Sequence, residues 1–125
     1  MKTILVDAWN TFVTKDGINQ ELKMLLDSYT NKKIIVTNAD ENELISLGIV
    51  NMPYPVFSLS HNPNKTNPEY FKILLSKYNL SIDDVVYFEH NEEAIKSAKS
   101  LNINSFWLKI GNPLSELKHF FDLNL

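Results

Sequence analysis

Asp7 directly follows the apolar run Ile4-Leu5-Val6, and Thr11 comes four residues later. A carboxylate delivered to the tip of a buried strand is placed to act as a nucleophile, with a nearby hydroxyl to hold it. Three further polar sets stand at comparable breaks in the apolar pattern. They are Thr37-Asn38 after Lys33-Ile34-Ile35-Val36, Lys65 shortly before Asn67-Pro68, and Glu89-His90-Asn91 after Val85-Val86-Tyr87-Phe88. A nucleophile, hydroxyl and amide groups, a cation and an imidazole are the parts needed for group transfer through a covalent intermediate. Trp9 occupies the position two residues after Asp7, where a second carboxylate would complete an acid/base pair.

An alternation of strands and helices must position these groups. Residues 3–7 predict a short buried strand, and Asp16-Gly17 marks a turn. Residues 18–29 show helical spacing through Leu22, Leu25, Leu26 and Tyr29. Residues 33–37 predict a second apolar strand ending in the Thr37 hydroxyl. Asp40 caps a short helix over 41–47 that stops at Gly48. A third strand over 56–59 follows the breakers Pro53 and Pro55. Asn67-Pro68-Glu69 sets a cap, a first-position proline and a first-turn acid in order, opening a helix that runs to Tyr78. Residues 84–88 predict a fourth strand, 92–101 a helix, and 105–108 a fifth strand; Asn112-Pro113 opens a C-terminal helix. Strands apolar on both faces, alternating with helices, predict an α/β fold: one three-layer, Rossmann-like domain over residues 1–125 with a parallel five-stranded sheet. Such sheets bind ligands at the carboxyl ends of their strands, where the four polar sets fall.

Composition narrows the function classes. With 125 residues, 44% of them hydrophobic, the chain can bury one core and is not disordered. Cysteine is absent, which excludes disulfides and thiolate metal sites and fits a cytoplasmic setting. No apolar run approaches the ~18 residues of a membrane span, and no basic-plus-apolar leader opens the sequence, so no membrane partner is expected. A net charge of −3 with no basic stripe disfavours nucleic acid. All 12 basic residues are lysines, so no guanidinium fork exists to clamp phosphate or carboxylate.

The ordered set of motifs resembles the haloacid dehalogenase-like (HAD) superfamily across about residues 3 to 108. The family's first motif, Asp-x-Asp-x-Thr with an apolar follower, is matched by Asp7, Thr11 and Phe12, with Trp9 departing from it. The second, an apolar strand ending in Ser or Thr, is matched by Ile34-Ile35-Val36-Thr37-Asn38. The third, a lysine before a proline-containing helix start, is matched by Lys65-Thr66-Asn67-Pro68. The fourth reads Glu89-His90-Asn91 followed by Ala98-Lys99; His90 stands where the metal-binding acid belongs, and Ala94 where a second acid belongs. The pleat of the fourth strand predicts that Glu89 points to the opposite face, with Glu89 or Glu92 able to swing in.

The resemblance implies roles. Asp7 would attack phosphorus (or carbon) to form an aspartyl ester, with Lys65 neutralising charge beside it. Thr37, with Asn38 and Thr11 in support, would bind the phosphoryl group, and Trp9 would offer a stacking surface or a lid. Metal ligands would be Asp7, the Trp9 backbone carbonyl and His90. Imidazole weakens a magnesium site and suits manganese, zinc or iron better, so the cofactor is one of these or none. The general acid/base normally supplied two residues after the nucleophile contributes ~10²–10⁴-fold, and an indole cannot replace it. The implied function is a phosphatase-type HAD-like hydrolase with weakened acid/base and metal sites. The alternative is an inactive pseudoenzyme that serves as a ligand- or protein-binding module.

The Asp-Ala-Trp-Asn-Thr-Phe stretch also resembles the first motif of the superfamily's 2-haloacid dehalogenases. These use an arginine and an inserted cap, and this chain has no arginine and no room for a cap. An open, capless site implies a phosphorylated substrate that is macromolecular, or a second copy of the chain acting as lid. A phospho-receiver reading fails because its acceptor aspartate would fall at Ser58. His61 and His119 have no partner spacing and are expected on the surface.

Overall fold

The computed structural model describes residues 1–125. Its main sheet contains β1 (Thr3–Asp7), β4 (Lys33–Thr37), β5 (Val56–Ser58), β6 (Val85–Glu89) and β7 (Asn104–Trp107) in the order β5-β4-β1-β6-β7, with every pairing parallel. A two-stranded antiparallel hairpin, β2 (Val13–Thr14) and β3 (Gly17–Ile18), lies between β1 and the first helix. The helices are α1 (Gln20–Asp27), α2 (Glu41–Ser46), α3 (Glu69–Lys77), α4 (Glu92–Lys99) and α5 (Leu114–Asn124). The expected three-layer α/β architecture is therefore observed. No helix is long and apolar enough to cross a membrane.

Alternating side chains on the central strands build two cores. Ile4 and Val6 of β1, Ile35 of β4, and Val86 and Phe88 of β6 pack with Leu22 and Leu26 of α1 and Leu117 and Phe121 of α5. Leu5, Ile34, Val36, Val85 and Tyr87 project the other way, against Tyr70, Phe71, Leu74 and Leu75 of α3 and Ile95 and Ala98 of α4. Both faces are covered, which is why these strands read as continuous apolar runs rather than alternating ones.

Local chemistry moves several element boundaries from their expected places. The helix expected from Ile18 starts at Gln20: Ile18 pairs with Val13 in the hairpin, Gly17 takes φ 102°, and the Asn19 side chain caps the helix by accepting from the Leu22 N–H. Asp84 belongs to a single 3₁₀ turn over Ile82–Asp84, with its carboxylate accepting from the Ser81 N–H, and the strand begins at Val85. The third strand closes at Ser58, whose hydroxyl donates to the Ala39 carbonyl at 2.5 Å. The last strand spans Asn104–Trp107 rather than ending at Leu108, and α4 closes at Lys99. α3 begins one residue later than expected, at Glu69 with Pro68 at its N-cap position, and the Asn67 side chain accepts from the Glu69 N–H at 3.0 Å just ahead of it.

The chain leaves β1 toward β4 and β5 and leaves β6 toward β7, so the connections diverge at the carboxyl ends of the adjacent strands β1 and β6. That divergence opens a crevice, the usual ligand site of such sheets. Tyr70 of α3 fixes the neighbouring strand ends. Its buried hydroxyl accepts from the Thr37 N–H at 3.1 Å and lies 2.9 Å from the Thr37 carbonyl and 3.0 Å from the Phe57 carbonyl, to which it donates. Removing that hydroxyl strands a buried N–H. Tyr70→Phe is therefore expected to cost about 1–3 kcal/mol in urea unfolding, with faster hydrogen exchange at the Thr37 amide.

Candidate active site

Strand register brings the acids together. Val6 pairs with Phe88, so Asp7 and Glu89 come next on adjacent strands. Asp7 has the parity of Leu5, and Glu89 that of Val85 and Tyr87; both sets face α3 and α4. The expectation that Glu89 points away is thus corrected. It is 0% exposed, and its Oε1 accepts from Lys65 Nζ at 2.7 Å. The pleat places Glu89 beside Asp7, while His90 sits just beyond the strand end, where pleat parity no longer governs. Glu89, expected in the sequence only as an acid able to swing in, is a fixed member of the candidate site, and its parity with Tyr87 is the signal that places it there.

Lys65 reaches in from the loop before α3. Its ammonium donates to Asp7 Oδ1 at 2.8 Å, to Glu89 Oε1 at 2.7 Å and to the Val36 carbonyl at 3.3 Å. Its backbone N–H donates to Asn38 Oδ1 at 2.7 Å and to Asn64 Oδ1 at 3.2 Å, tying the loop to the end of β4. The other Asp7 oxygen, Oδ2, accepts from the Thr11 hydroxyl at 2.7 Å and from the His90 N–H at 3.2 Å, and it also contacts His90 Nδ1. His90 is held in turn: its carbonyl accepts from the Trp107 indole N–H at 2.9 Å. Asn91 caps α4 by accepting from the Glu93 N–H, and its own N–H donates to Glu89 Oε2 at 3.2 Å.

The cleft above these groups has a volume of about 210 Å³, and its walls include Asp7, Trp9, Thr37, Asn38, Lys65 and His90. Of the residues given nucleophilic, charge-neutralising, phosphoryl-binding or metal-binding roles in the sequence, only Thr11 is not on the cleft wall. It lies behind Asp7, 6% exposed, as a support. The Thr37 hydroxyl accepts from the Ala39 N–H at 3.2 Å, which leaves its proton available to a ligand. His61 is on the surface, as expected, but it has a partner that no spacing announced. Its Nε2 lies 2.6 Å from Glu43 Oε1, and both residues line the cleft. His119 is exposed, as expected.

Burial sets the electrostatics. It opposes ionisation of Asp7, but the Lys65 charge and the His90 hydrogen bond outweigh it and hold the carboxyl well below the usual range. Glu89 is pushed up to about 7, first by burial and then by the charge on Asp7, with Lys65 pulling the other way. For Lys65, burial favours the neutral amine, yet the Asp7 and Glu89 charges raise its pKa above the ordinary lysine value. His90 is raised as well, by its hydrogen bond to Asp7 against a smaller desolvation effect. At neutral pH the site therefore holds an ionised Asp7, a charged Lys65 and a Glu89 close to half-titration.

No protein-family model and no curated protein matches the sequence. Solved structures do match. A HAD family enzyme from Bacteroides thetaiotaomicron, an aspartate-to-alanine mutant in complex with magnesium and inorganic phosphate, superposes with a TM-score of 0.75 at 14% identity, covering 94% of this chain and 98% of that one. The chain has the HAD-like core fold. Two other structures extend the HAD-like comparison. The core domain of a candidate phosphoglycolate phosphatase from Streptococcus pneumoniae matches at TM-score 0.66 and 18% identity over 97% of this chain and 95% of that one. An uncharacterised protein from Corynebacterium glutamicum matches at 0.63 and 14% over 98% and 96%. The HAD-like core carries no cap here: only the β2–β3 hairpin separates β1 from α1, and only the short α2 and β5 lie between β4 and the Lys65 loop.

The Glu89 shift has a testable consequence. Folded Glu89 retains its proton to about pH 7, whereas the unfolded carboxyl loses it near its ordinary value of 4.5. Between those values the folded state binds more protons, so the Glu89 contribution destabilises the fold progressively as pH rises. Glu89→Gln removes that titration. Urea unfolding is expected to show the variant gaining on the parent between pH 5 and pH 8, by on the order of 2 kcal/mol.

Proposed function

We propose that the chain is a capless HAD-like hydrolase of the phosphatase type, with Asp7 as its nucleophile. The observation that carries this reading is an ionised, buried carboxylate at a strand end, held on one side by Lys65 and on the other by Thr11 and His90, at the floor of an open cleft. In the proposed reaction an Asp7 oxygen attacks phosphorus to give an aspartyl phosphate, which water then hydrolyses. Lys65 offsets the charge that builds on the nucleophile and on the phosphoryl oxygens. The Thr37 hydroxyl and the Asn38 side-chain amide, whose oxygen is already committed to Lys65, are the donors for those oxygens. The absence of a cap suits a macromolecular substrate, or a second copy of the chain closing over the cleft, and the cysteine-free composition suits the cytoplasm.

Asp7, Glu89 and His90 place one ligand atom each within 4.8 Å of one another. Two carboxylates and an imidazole suit manganese, zinc or iron better than magnesium, which prefers an all-oxygen octahedron. These three residues would hold such an ion, which when bound would supply Lewis-acid polarisation of the phosphoryl group. His90 must give up its proton to ligate. Glu89, which retains its proton to about pH 7, must do the same. Manganese or zinc is therefore expected to bind more tightly at pH 8 than at pH 6 by calorimetry, and His90→Ala to weaken binding and reduce that difference to the part set by Glu89.

A second reading has one observation in its favour: both Asp7 oxygens are already engaged, and Trp9 stands where the proton-transfer acid is expected. In that reading the cleft binds phosphate esters or a protein partner without turnover. Phosphate release from para-nitrophenyl phosphate, assayed with magnesium, manganese, zinc and cobalt, separates the two. The hydrolase reading expects turnover that Asp7→Asn reduces by on the order of 10³-fold or more. Binding of phosphate by calorimetry with no turnover under any metal would establish the alternative.

A further inference from the structure

Two titratable residues on the cleft wall have no part in the reaction so far, Glu43 and His61. His61 Nε2 lies 2.6 Å from Glu43 Oε1. Glu43 is itself fixed, because the same oxygen accepts from the Asp40 N–H at 3.1 Å while the Glu43 N–H donates to Asp40 Oδ1 at 2.9 Å, a capping box at the start of α2. The carboxylate thus engages Nε2 and leaves Nδ1 without a protein partner. The backbone is also constrained at this point. Ser60 and His61 adopt φ of 52° and 65°, adjacent left-handed conformations that non-glycine residues seldom take and that concentrate at functional sites. The loop is anchored by the Asn62 N–H donating to the Leu59 carbonyl and the Ser60 N–H donating to Ser58 Oγ. It ends four residues later at Lys65, in the floor of the same cleft.

We infer that His61, oriented by Glu43, is the general acid and base that the Trp9 position lacks. This rests on the phosphatase reading above. As Asp7 forms its bond to phosphorus, the bond to the leaving oxygen breaks with its electron pair on that oxygen, and the His61 imidazolium transfers its proton there to release the alcohol. The neutral imidazole then takes a proton from water as the water oxygen attacks the aspartyl phosphate. The phosphorus–oxygen bond to Asp7 breaks with its pair returning to the carboxylate, phosphate departs, and His61 is again protonated. The sum is ester plus water to alcohol plus phosphate. Glu43 is a positioning residue that holds the ring through Nε2.

The test compares an alkyl phosphate, whose alkoxide needs a proton to leave, with para-nitrophenyl phosphate, whose nitrophenolate does not. His61→Asn suits the left-handed backbone and the residue is exposed, so the fold is retained. The variant is expected to lose on the order of 10²-fold in kcat/KM on the alkyl ester while kcat/KM on the nitrophenyl ester stays nearly unchanged. Hydrolysis of the intermediate is slowed for both, so the nitrophenyl reaction acquires a burst. Glu43→Gln keeps the capping box and is expected to give the same pattern to a lesser degree. Equal proportional losses on the two esters, or no loss on either, overturn the role of His61 and leave the phosphatase reading standing. A parent protein that turns over neither ester overturns both.

Discussion

One ammonium between two buried carboxylates organises this molecule. Asp7 and Glu89 end adjacent strands with their side chains on the same face, and neither reaches bulk water. Unpaired, two such charges would be among the costliest groups a small fold can bury. Lys65 answers both, but one positive charge cannot fully compensate two negative ones, and the proton that Glu89 retains to about pH 7 relieves part of that imbalance. The geometry follows from this demand. The β1–β6 register sets the distance between the acids, Tyr70 pins the ends of β4 and β5, and Asn38 holds the backbone of the lysine loop. Shifting any one of these would move the ammonium off the axis between the carboxylates.

The sequence displayed the fold clearly because both faces of the sheet are covered. Continuous apolar runs such as Lys33–Thr37 and Val85–Glu89 have few other uses in a chain of this size, and the Asp40 cap and the Asn67-Pro68-Glu69 start mark their helices to within a residue. Less legible were features set by tertiary contacts. Ile18 looks helical until its partner Val13 is known, and Asp84 looks strand-like until Ser81 closes a turn around it. Of the site, Asp7, Lys65 and Thr37 could be read because each follows or precedes a recognisable element. Glu89 was misjudged because its orientation depends on the parity of two strands counted together, a property of the sheet rather than of either segment. The link between His61 and Glu43 spans 18 residues across a loop and a helix, and no local pattern announces it.

The substitutions within the motifs look less like simple erosion once their contacts are seen. His90 does not lie idle at the position where an acid was expected: its ring and its backbone N–H both contact one Asp7 oxygen, and its carbonyl is anchored to the sheet edge. Thr11 and His90 together hold one Asp7 oxygen while Lys65 holds the other, so the carboxylate has little freedom to turn. For the proposed attack on phosphorus, a rigid, charged Asp7 would need little reorganisation, yet the same bonds would have to loosen as its oxygen joined phosphorus. The balance between those two effects is what separates a working enzyme from a binding module built on the same frame.

The anchoring of His90 by Trp107 has a practical consequence. The chain contains only two tryptophans, Trp9 on the cleft wall and Trp107 bonded through its indole N–H to the His90 carbonyl. The two indoles thus flank the candidate site from opposite faces of the sheet, Trp9 packed on the α1–α5 side and Trp107 on the α3–α4 side. Excited at the red edge of the absorption band, where the five tyrosines contribute little, the folded molecule therefore carries a built-in optical reporter of the cleft wall and of the His90 anchor.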